Sequence, residues 1–434
     1  HRTFGRQGKS VNGYTNMNIA CIGTGFVGVV TAAVFAKLGH SVIGLDIDEK
    51  KVESLHAGIV PFFEPNLSEL LVETQKTGNL TFTTDYAIAI KDADIVMIMV
   101  GTPSREDGQA DLKFVLDSAL SLALHLKEGA IIIIKSTVPP GTNQKVHDVI
   151  ATNTKVSFDI ASVPEFLKEG TAVEDTLHPD RIIIGSTNEQ TIKVLTQLHD
   201  PLTKNIIVMK PESAQMAKYA ANVYLAMRIT FANQMADLCE INGADVEEVI
   251  KGIGADSRIG DHYWYPGLGY GGSCFPKDVK EIAAYAKHIG ENESIFIAVN
   301  ERNEARIPRL MEKYDKLVGG WSGKSVAILG LSFKKNTNDT REAPAVKVIS
   351  WLKTHGAIVK TADPKVIADF TDPYQAATGA HVLILLVEWD EYQSLDLARL
   401  ASVMQSPKYF LDTRNQYNPK LVESAGLKYK GVGR

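Results

Sequence analysis

The sequence predicts an α/β protein in which two doubly wound lobes are joined by a helical central domain with a long helix. Three observations lead to this prediction: short apolar runs alternate with helix-like segments near the start, the alternation returns near the end, and a sustained helical pattern separates the two regions. Apolar strands that alternate with helices are typical of a parallel sheet covered on both faces. The length of 434 residues is also too great for one compact core.

The first alternating region begins with an apolar run at residues 18–22, which leads through Gly23-Thr-Gly-Phe-Val-Gly28 into an Ala-rich helical stretch. Further apolar runs stand at residues 41–45, 95–100, 131–134, 159–163 and 181–184. From residue 211 to 252 the apolar residues recur at helical spacing, with no turn signal before Asn242-Gly243, which predicts the long helix.

The second alternating region passes through residues 324–330, 346–354, 358–361 and 382–387. It opens like the first but continues as Gly330-Leu-Ser-Phe-Lys-Lys335, where the glycine spacing is lost and two lysines follow. We therefore expect three domains, at residues 17–210, 211–318 and 319–434.

The charge and the apolar runs argue against two kinds of partner. The sequence has 46 Lys and Arg against 51 Asp and Glu, a formal net charge of -5, with no long run of one sign. We therefore expect neither a nucleic acid nor an anionic membrane surface as partner. The longest apolar stretches fall far short of the ~20 residues that cross a membrane. No metal site is predicted.

The number of cysteines and the composition of residues 1–16 indicate in which cellular compartment we expect the protein. Cys21, Cys239 and Cys274 are too few for a disulfide framework, so we expect a reducing compartment, the cytoplasm. Residues 1–16 are polar and Gly-rich, without the apolar region of a signal peptide, and they precede Met17 and the first apolar run. We interpret them as a leader or tag outside the fold.

The segment from Gly23 to Gly28 has the spacing GxGxxG, which alone is weak because glycine-rich turns are common. Here it follows a strand pattern, opens a helix, and is succeeded by Asp46, 21 positions after Gly25. This context is typical of a Rossmann-like dinucleotide site, in which the glycines allow a tight turn, close approach of a pyrophosphate and close helix packing. Asp46 would bind a ribose 2′-hydroxyl and repel a 2′-phosphate, which favours NAD over NADP. The plainer alternative is a turn with incidental glycines.

Two further strand ends point to the same crevice, since ligands of open α/β sheets lie beyond the carboxyl ends of the strands. They are Val100-Gly-Thr-Pro103 and Lys135-Ser-Thr-Val138. The hydroxyls of Thr102 and Ser136 are small enough to hydrogen-bond a cofactor without blocking it. Either hydroxyl could instead cap a helix.

Cys274 differs from the other two cysteines. Cys21 lies within the first strand pattern and Cys239 within the long helix, where cysteine usually behaves as a small hydrophobe. Cys274 lies in Gly269-Tyr-Gly-Gly-Ser-Cys-Phe-Pro-Lys-Asp278, a glycine-dense turn that leads into a helical pattern. A helix N-terminus favours the thiolate, and glycines leave room for a substrate carbonyl. A structural loop cysteine is the alternative.

A nicotinamide and a thiolate are needed together when an alcohol is oxidised twice. A single-step alcohol dehydrogenase needs only a base. When the aldehyde must be oxidised again, the thiolate adds to it as a thiohemiacetal, hydride passes to NAD, and water hydrolyses the resulting thioester. The predicted net reaction is alcohol to carboxylate, with two NAD reduced.

Taken together, the motifs resemble those of the UDP-glucose dehydrogenase family, within the broader UDP-glucose and GDP-mannose dehydrogenase superfamily. The resemblance covers essentially residues 17–434. The matching segments stand in family order: Gly23-Thr-Gly-Phe-Val-Gly28, Asp46 with Lys51, Phe63-Glu-Pro65, Val100-Gly-Thr-Pro103, Ser136-Thr-Val138, Pro164-Glu-Phe-Leu-Lys-Glu-Gly170, Lys218-Tyr-Ala-Ala-Asn222, Gly271-Gly-Ser-Cys-Phe-Pro-Lys-Asp278 and Phe333-Lys-Lys-Asn-Thr-Asn-Asp-Thr-Arg341.

The resemblance implies a nucleophile, Cys274, and a supporting carboxylate, Asp278. It implies that Lys218 stabilises developing oxyanion charge and that Asn222, four residues on and hence on the same helical face, orients the reacting groups. Each has a plainer alternative: Asp278 could be a carboxylate favoured at a helix start, and Lys218 and Asn222 could form an exposed helix face.

The resemblance also implies that Glu165 and Thr137 hold the water used in proton transfer and thioester hydrolysis. Glu165 could instead form a loop salt bridge. The residues implied to contact NAD are Gly23, Gly25, Phe26, Val27, Gly28, Asp46, Lys51, Thr102, Pro103, Ser136, Thr137, Glu169 and Arg341. Those implied to contact the UDP-sugar substrate are Glu165, Phe166, Leu167, Lys168, Lys218, Asn222, Arg258, Tyr265, Gly269, Tyr270, Gly271, Phe333, Lys334 and Arg414.

The carboxy-terminal lobe is expected to hold the nucleotide diphosphate of the substrate, with side-chain cations in place of a glycine cradle. Phe333 and Lys334 would lie at its mouth and Arg414 would be a further cation. The alternative is that Lys334 and Lys335 are a solvated surface pair. The resemblance also implies a homodimer in which the long helix packs against its mate and Arg258 reaches the substrate of the neighbouring subunit.

The sequence is also compatible with two other functions. One is a single-step dehydrogenase of the 6-phosphogluconate or 3-hydroxyacid type, which would use neither Cys274 nor a second α/β lobe. The other is a non-catalytic dinucleotide-binding protein. Within the resembling family, UDP-glucose, GDP-mannose and UDP-N-acetylhexosamine substrates all remain possible, although Phe63-Glu-Pro65 and Gly271-Gly-Ser-Cys-Phe-Pro276 look most like the UDP-glucose branch.

Overall fold

The structure, a computed structural model, describes residues 16–434, so residues 1–15 of the expected leader lie outside it. The described residues divide into two compact units, one that ends at Ala220 and one that spans Ala221–Arg434. The boundary falls within one long helix, α9 (Pro211–Asn242), which covers most of the predicted helical stretch. Gly243 ends that helix in a left-handed conformation, with φ of +80°, at the predicted turn.

The first unit is built on one eight-stranded sheet. Its strands are β1 (Asn18–Ile22), β2 (Ser41–Leu45), β3 (Leu80–Thr83), β4 (Ile95–Ile98), β5 (Ala130–Ile134), β6 (Phe158–Ser162), β7 (Ile182–Gly185) and β8 (Ile206–Met209). The order is β3-β2-β1-β4-β5-β6-β7-β8, and every neighbouring pair is parallel except β6 and β7. The order turns around between β1 and β4, which makes that position the expected ligand crevice.

Helices cover both faces of this sheet. They are α1 (Phe26–Lys37), α2 (Glu49–His56), α3 (Leu67–Lys76), α4 (Tyr86–Ile90), α5 (Lys113–Ala123), α6 (Thr142–Asn153), α7 (Ala172–Leu177) and α8 (Glu189–His199). Strands β4 and β5 are buried at every position, because helices pack on both of their faces. Two apolar clusters result, one on each side of the sheet.

The second unit continues from α9 with three helices, α10 (Val246–Gly254), α11 (Phe275–His288) and α12 (Ser294–Val318). A five-stranded parallel sheet follows, in the order β10-β9-β11-β12-β13. Its elements along the chain are β9 (Ser325–Leu329), α13 (Pro344–Thr354), β10 (Ile358–Ala362), α14 (Pro373–Ala377), β11 (Val382–Leu385), α15 (Asp390–Gln393), α16 (Leu397–Val403), β12 (Tyr409–Asp412), α17 (Pro419–Ser424) and β13 (Lys428–Lys430).

The predicted fold class is confirmed: two doubly wound α/β lobes and a long central helix. The apolar pattern did not single out β3, β8, β12 or β13. Three of these, β3, β8 and β13, are edge strands of three or four residues. An edge strand is less completely buried, so its sequence carries a weaker apolar signal.

The two sheets open with the same turn. Gly23 follows β1 with φ of +92°, and Gly330 follows β9 with φ of +95°, a region that favours glycine. The Gly23 N–H donates to the carbonyl of Leu45 at 2.8 Å, and the Gly330 N–H donates to that of Ala362 at 2.9 Å. Each turn is therefore hydrogen-bonded to the end of the adjacent strand, β2 in the first sheet and β10 in the second.

Candidate active site

The glycines of the first turn have three different surroundings. A Cβ on Gly23 would lie 2.8 Å from the Met99 carbonyl oxygen, and one on Gly28 would lie 1.8 Å from the Gly23 carbonyl oxygen. A Cβ on Gly25 would meet nothing within 4 Å. The turn and the helix are thus packed together, while the Gly25 side stays open at the N-terminus of α1. This is the shape that admits a pyrophosphate.

Asp46 is a buried carboxylate surrounded by donors. Its Oδ2 accepts hydrogen bonds from the Thr24 N–H, the Thr24 hydroxyl and the Lys51 ammonium, each at 2.9 Å, and its Oδ1 accepts from the Asp48 N–H at 3.1 Å. Burial alone would raise the pKa of Asp46, but the bonds from Lys51, Thr24 and Asp48 outweigh it and hold the pKa below its ordinary value. The side chain is therefore an anion that can accept from a ribose hydroxyl.

The hydroxyls after β4 and β5 tie the two strand ends together. Thr102 donates to the Thr137 carbonyl at 2.8 Å, and Ser136 donates to the Val100 carbonyl at 2.7 Å. Neither caps a helix, because α5 and α6 follow Leu112 and Gly141. Each oxygen keeps lone pairs with which it can accept a hydrogen bond.

Glu165 lies in the loop between β6 and α7. Its Oε2 accepts from the Leu167 N–H at 2.7 Å, and its Oε1 lies 3.4 Å from the Lys218 ammonium. Both charged side chains are almost fully withdrawn from solvent. Lys135, directly after β5, is buried in the same neighbourhood: burial lowers its pKa, Glu165 opposes that effect, and Lys218 adds to it. Lys218 therefore does not form the exposed helix face that was the plainer alternative.

Other predicted contacts line the same loop. The Lys168 N–H donates to Asp175 at 2.9 Å, Glu169 is half-buried, and Leu167 packs on the core. Near the first turn, the Phe26 ring lies 4.9 Å from that of Phe62, Val27 is half-buried, and Pro103 is exposed.

Cys274 is exposed and is the residue that precedes the first turn of α11. Its Sγ lies 3.7 Å from the Ser273 hydroxyl. Cys21 and Cys239 are buried, and burial raises the pKa of Cys21 to about 12, so that thiol is inert near neutral pH. Among residues 16–434, Cys274 is thus the cysteine that a substrate can reach.

Long-range contacts hold the loop that leads to Cys274. Asn303 on α12 accepts from the Tyr270 N–H at 2.8 Å and donates to the Tyr270 carbonyl at 3.0 Å. The ring of Phe333 lies against Gly272, where a Cβ would approach it to 2.8 Å, and a Cβ on Gly271 would lie 2.3 Å from the Glu342 carbonyl oxygen. Gly269 has φ of +91°. The glycines therefore allow the loop to be packed closely from both sides.

Asp278 lies one turn after Cys274 and is fully buried. Its Oδ2 accepts from the Asn222 side-chain amide at 2.6 Å, and its Oδ1 lies 2.8 Å from the Lys277 ammonium. Burial lowers the pKa of Lys277, but the carboxylates of Asp278 and Glu281 outweigh it and raise that pKa. Asp278 therefore has specific partners beyond the helix dipole.

The predicted cations of the carboxy-terminal lobe differ in their surroundings. Lys335 pairs with Asp390 at 2.8 Å, whereas the Lys334 ammonium lies 5.5 Å from the centre of the Phe333 ring. Arg414 donates to the Leu386 carbonyl at 2.7 Å and contacts Glu388 at 3.0 Å. The two lysines thus have separate roles.

Three further residues were predicted to bind cofactor or substrate: Arg341, Arg258 and Tyr265. Arg341 and Arg258 form close pairs with Asp339 and Asp256, two residues earlier in each case. The Arg258 side chain is 86% exposed, and Tyr265 is also exposed, so neither contributes to a buried site within its unit.

Several residues near these sites were missed by sequence reasoning. Glu64 is buried and accepts from the Gly170 and Ala172 N–H groups at 2.6 and 2.7 Å, which ties down the loop that carries Glu165. Arg306 on α12 donates to the Gly267 carbonyl at 2.7 Å and pairs with Asp237. Glu64 belongs to the segment Phe63-Glu-Pro65, but its partners lie more than a hundred residues away, so no local pattern indicates its role.

Residues 16–434 contain no helix long and apolar enough to cross a membrane. The same residues contain no group of three or more His, Cys, Asp or Glu side chains placed to hold a metal ion.

The open turn, the ionised Asp46 and the alternation of strands and helices define a protein that binds a dinucleotide of the NAD type. Three domain profiles of the UDP-glucose/GDP-mannose dehydrogenase family match the chain: the NAD binding domain at residues 17–203, the central domain at 212–305 and the UDP binding domain at 327–419. The chain belongs to this family, and its cofactor is NAD. Each match lies inside one predicted domain, and the exact boundaries stay predictions.

Individual relatives match along nearly their whole length. The chain is 39% identical to the UDP-glucose 6-dehydrogenase TuaD of Bacillus subtilis, covering 96% of this chain and 93% of that protein. It is 40% identical to the UDP-glucose 6-dehydrogenase of Pseudomonas aeruginosa, covering 96% and 98%. The structure resembles a UDP-glucose dehydrogenase from Pyrobaculum islandicum with a TM-score of 0.90, at 35% identity, covering 98% of this chain and 100% of that one.

Asp46 should set the choice of cofactor. We expect the unmodified protein to prefer NAD over NADP, and Asp46→Ala to narrow that preference by on the order of tenfold, because repulsion of the 2′-phosphate is removed and Lys51 loses its partner. The kcat/KM ratio for the two cofactors and the Kd values of NADH and NADPH measure the effect. Glu49→Ala, an exposed carboxylate nearby, is the control and should leave the ratio unchanged. Equal kcat/KM values in the unmodified protein would contradict this assignment.

Proposed function

We propose that this protein oxidises UDP-glucose to UDP-glucuronate, with two NAD reduced per sugar and Cys274 as covalent nucleophile. The observation that carries the proposal is the position of Cys274, an exposed thiol at the start of α11 in a glycine loop. The names of the Bacillus and Pseudomonas relatives support the choice of substrate. The proposed cytoplasmic location rests on the sequence, which has only three cysteines, too few for a disulfide framework.

The chemistry joins two oxidations at one carbon. Bound NAD would supply the hydride acceptor for each oxidation. After the primary alcohol has become an aldehyde, the Cys274 thiolate adds to the carbonyl carbon and gives a thiohemiacetal. Loss of a second hydride gives a thioester, and water cleaves its C–S bond to release the carboxylate and the thiol. The alcohol thus loses four electrons and gains one oxygen from water.

Within the first unit, Lys218 and Glu165 have complementary roles in this proposal. Lys218 is a buried cation that would stabilise negative charge on the substrate oxygen as it develops. Glu165 would hold and activate water for hydrolysis. The half-buried Thr137, next to the linked ends of β4 and β5, would orient the same water.

Within the second unit, Asp278 and Asn222 support the reacting end of the sugar. Their 2.6 Å hydrogen bond fixes the Asn222 amide, so that its remaining groups can orient substrate. Gly269, Tyr270 and Gly271 shape the loop that would lie along the sugar.

The covalent role of Cys274 is tested by Cys274→Ala. We expect this variant to fold normally and to form no UDP-glucuronate, whereas the unmodified protein releases two NADH per UDP-glucose. Product analysis measures the UDP-glucuronate formed. The NADH released from a limiting amount of UDP-glucose, with NAD in excess, gives the number of NADH per sugar. Cys239 is a buried cysteine on α9, so Cys239→Ala is the control and should retain turnover.

The outcomes separate the competing functions. One NADH per sugar would indicate a single-step dehydrogenase, and none with any sugar nucleotide would indicate a binding protein. Sustained uronate formation by Cys274→Ala would overturn the covalent mechanism. A screen that includes GDP-mannose, UDP-N-acetylglucosamine and UDP-N-acetylmannosamine tests the choice of sugar.

The carboxy-terminal lobe would hold the diphosphate of the substrate. Phe333 brings the loop after β9 against Gly272, and Lys334 lies beside the Phe333 ring. Arg414 would supply a second cation, and Arg341 would turn toward NAD. The family's UDP binding domain profile, which spans this lobe, supports the proposal.

Lys334→Ala should raise the KM for UDP-glucose about ten- to a hundredfold, the effect of losing one charge-assisted hydrogen bond of about 1.5 to 3 kcal/mol. A contact used equally in the ground and transition states leaves kcat and the KM for NAD nearly unchanged. Lys335→Ala is the matched control, because Lys335 pairs with Asp390 instead. An unchanged KM in Lys334→Ala would remove the main support for this assignment.

The proposed homodimer would form along α9. Tyr224, Phe231 and Leu238 recur every seven residues on this helix and are 52%, 47% and 47% exposed. Large apolar side chains at a seven-residue spacing are typical of a helix that packs against another helix. In the dimer, Arg258 would reach the substrate of the neighbouring subunit, in keeping with its exposure.

Phe231→Glu should shift the protein from dimer to monomer, because a charge would be buried in the seam. Light scattering coupled to size exclusion measures the mass. Leu421→Glu places the same charge on another exposed leucine, on α17, and should leave the mass unchanged. A dimer that persists in Phe231→Glu at micromolar concentration would argue against this interface.

A further inference from the structure

The loop at residues 163–171 carries Glu165 and is anchored unevenly. At its far end, the Glu64 carboxylate binds the Gly170 and Ala172 N–H groups. In its middle, the Asp175 carboxylate accepts from the Lys168 N–H. Neither anchor contacts the segment of Glu165 and Phe166. That segment therefore depends on other contacts for its position.

The Glu165–Lys218 pair is looser than a close ion pair. The Lys218 Nζ and Glu165 Oε1 are 3.4 Å apart, whereas charge-assisted N–H···O contacts are usually about 2.7 to 2.9 Å. Both side chains are nearly buried, so solvent does not explain the separation. A pair held at this distance keeps donors and lone pairs available to water or substrate.

The ring of Phe166 has two cations near it, Lys218 of the pair and Arg181. The Lys218 Nζ is 5.2 Å from the centre of this ring, and the guanidinium carbon of Arg181 is 3.7 Å from it. A planar guanidinium at that distance stacks on the ring, and such contacts strengthen when partly buried. Arg181 directly precedes β7, so the pairing of that strand in the sheet helps to hold its backbone in place.

Arg181 has no ion-pair or hydrogen-bond partner within the described residues. Among these residues, the Arg181 guanidinium therefore interacts specifically with the Phe166 ring. An arginine held half-buried without a carboxylate is not explained by surface salt bridging.

We propose that Arg181 is a positioning residue for the Glu165–Lys218 pair. By stacking on Phe166 it fixes the ring, which in turn holds the adjacent Glu165 and limits how far the Lys218 ammonium can move toward it. Without the stack, the ring can rotate away and Lys218 can close onto Glu165, which removes both from catalysis. This inference rests on the proposed function of the pair.

The test compares Arg181→Leu, Arg181→Lys and the unmodified protein. Arg181→Leu should lower kcat about five- to thirtyfold, as expected for a stacked cation worth about 1 to 2 kcal/mol, with the KM for NAD nearly unchanged. Arg181→Lys keeps a cation over the ring and should recover part of kcat. Phe166→Leu should reproduce the loss.

A matched control separates positioning from stability. Arg399 stacks on Tyr374 in the second unit with its guanidinium carbon 3.8 Å from the ring centre. Arg399→Leu removes the same kind of contact and should leave kcat unchanged. Equal kcat losses in Arg181→Leu and Arg399→Leu, or an unchanged kcat in Arg181→Leu, would overturn the proposal.

A double-mutant cycle identifies the residue through which Arg181 acts. In a Glu165→Gln background, Arg181→Leu should cause little further loss of kcat, because the group that it positions has already been disabled. Fully additive losses would show a general structural role and would also overturn the proposal. Failure of the proposed function is a separate result, since it would appear as no turnover of UDP-glucose by the unmodified protein.

Discussion

The turn that follows the first strand of each sheet is fixed by two features. A glycine adopts a left-handed conformation, and the N–H of the next residue donates to a carboxylate. The loops at the carboxyl ends of the strands start from this turn. Gly23 bonds to the end of β2, and the next N–H, that of Thr24, donates to Asp46 at 2.9 Å. In the second lobe, the N–H of Leu331 donates to Asp363 at 2.7 Å. In both lobes an acidic residue that directly follows the second strand therefore closes the turn.

The two lobes diverge directly after this shared turn. Helix α1 begins three positions after Gly23 and packs on the turn through Gly28, so this lobe presents a helix N-terminus to a ligand. Helix α13 begins only at Pro344, and the intervening loop carries Phe333 and Lys334. This lobe presents side chains instead. Asp363 also accepts a hydrogen bond from the indole N–H of Trp389 at 3.3 Å, whereas Asp46 accepts one from the Lys51 ammonium at 2.9 Å.

Within each unit, side-chain carboxylates and amides hold the irregular segments that carry the proposed site residues. Glu64 binds two N–H groups of the loop that carries Glu165, Asp278 binds Asn222, and Asn303 binds both backbone groups of Tyr270. Hydrogen bonds to charged groups contribute about 1.5 to 3 kcal/mol each, so a few such contacts can fix a loop that lacks regular structure. This arrangement fixes the glycine-rich backbone next to the Cys274 thiol.

The sequence alone determined the alternation of strands and helices, the turn before α1, the position of Asp46, and the exposed cysteine among the three. Each of these is encoded within about twenty residues, through apolar spacing or the conformational demands of glycine. It did not determine that Thr102 binds the Thr137 carbonyl, 35 positions away, that Glu64 binds Gly170, 106 positions away, or that Arg181 stacks on Phe166. Those contacts depend on which strand ends the sheet order brings together, and no local period in a sequence specifies that order. Only the tertiary structure decided them.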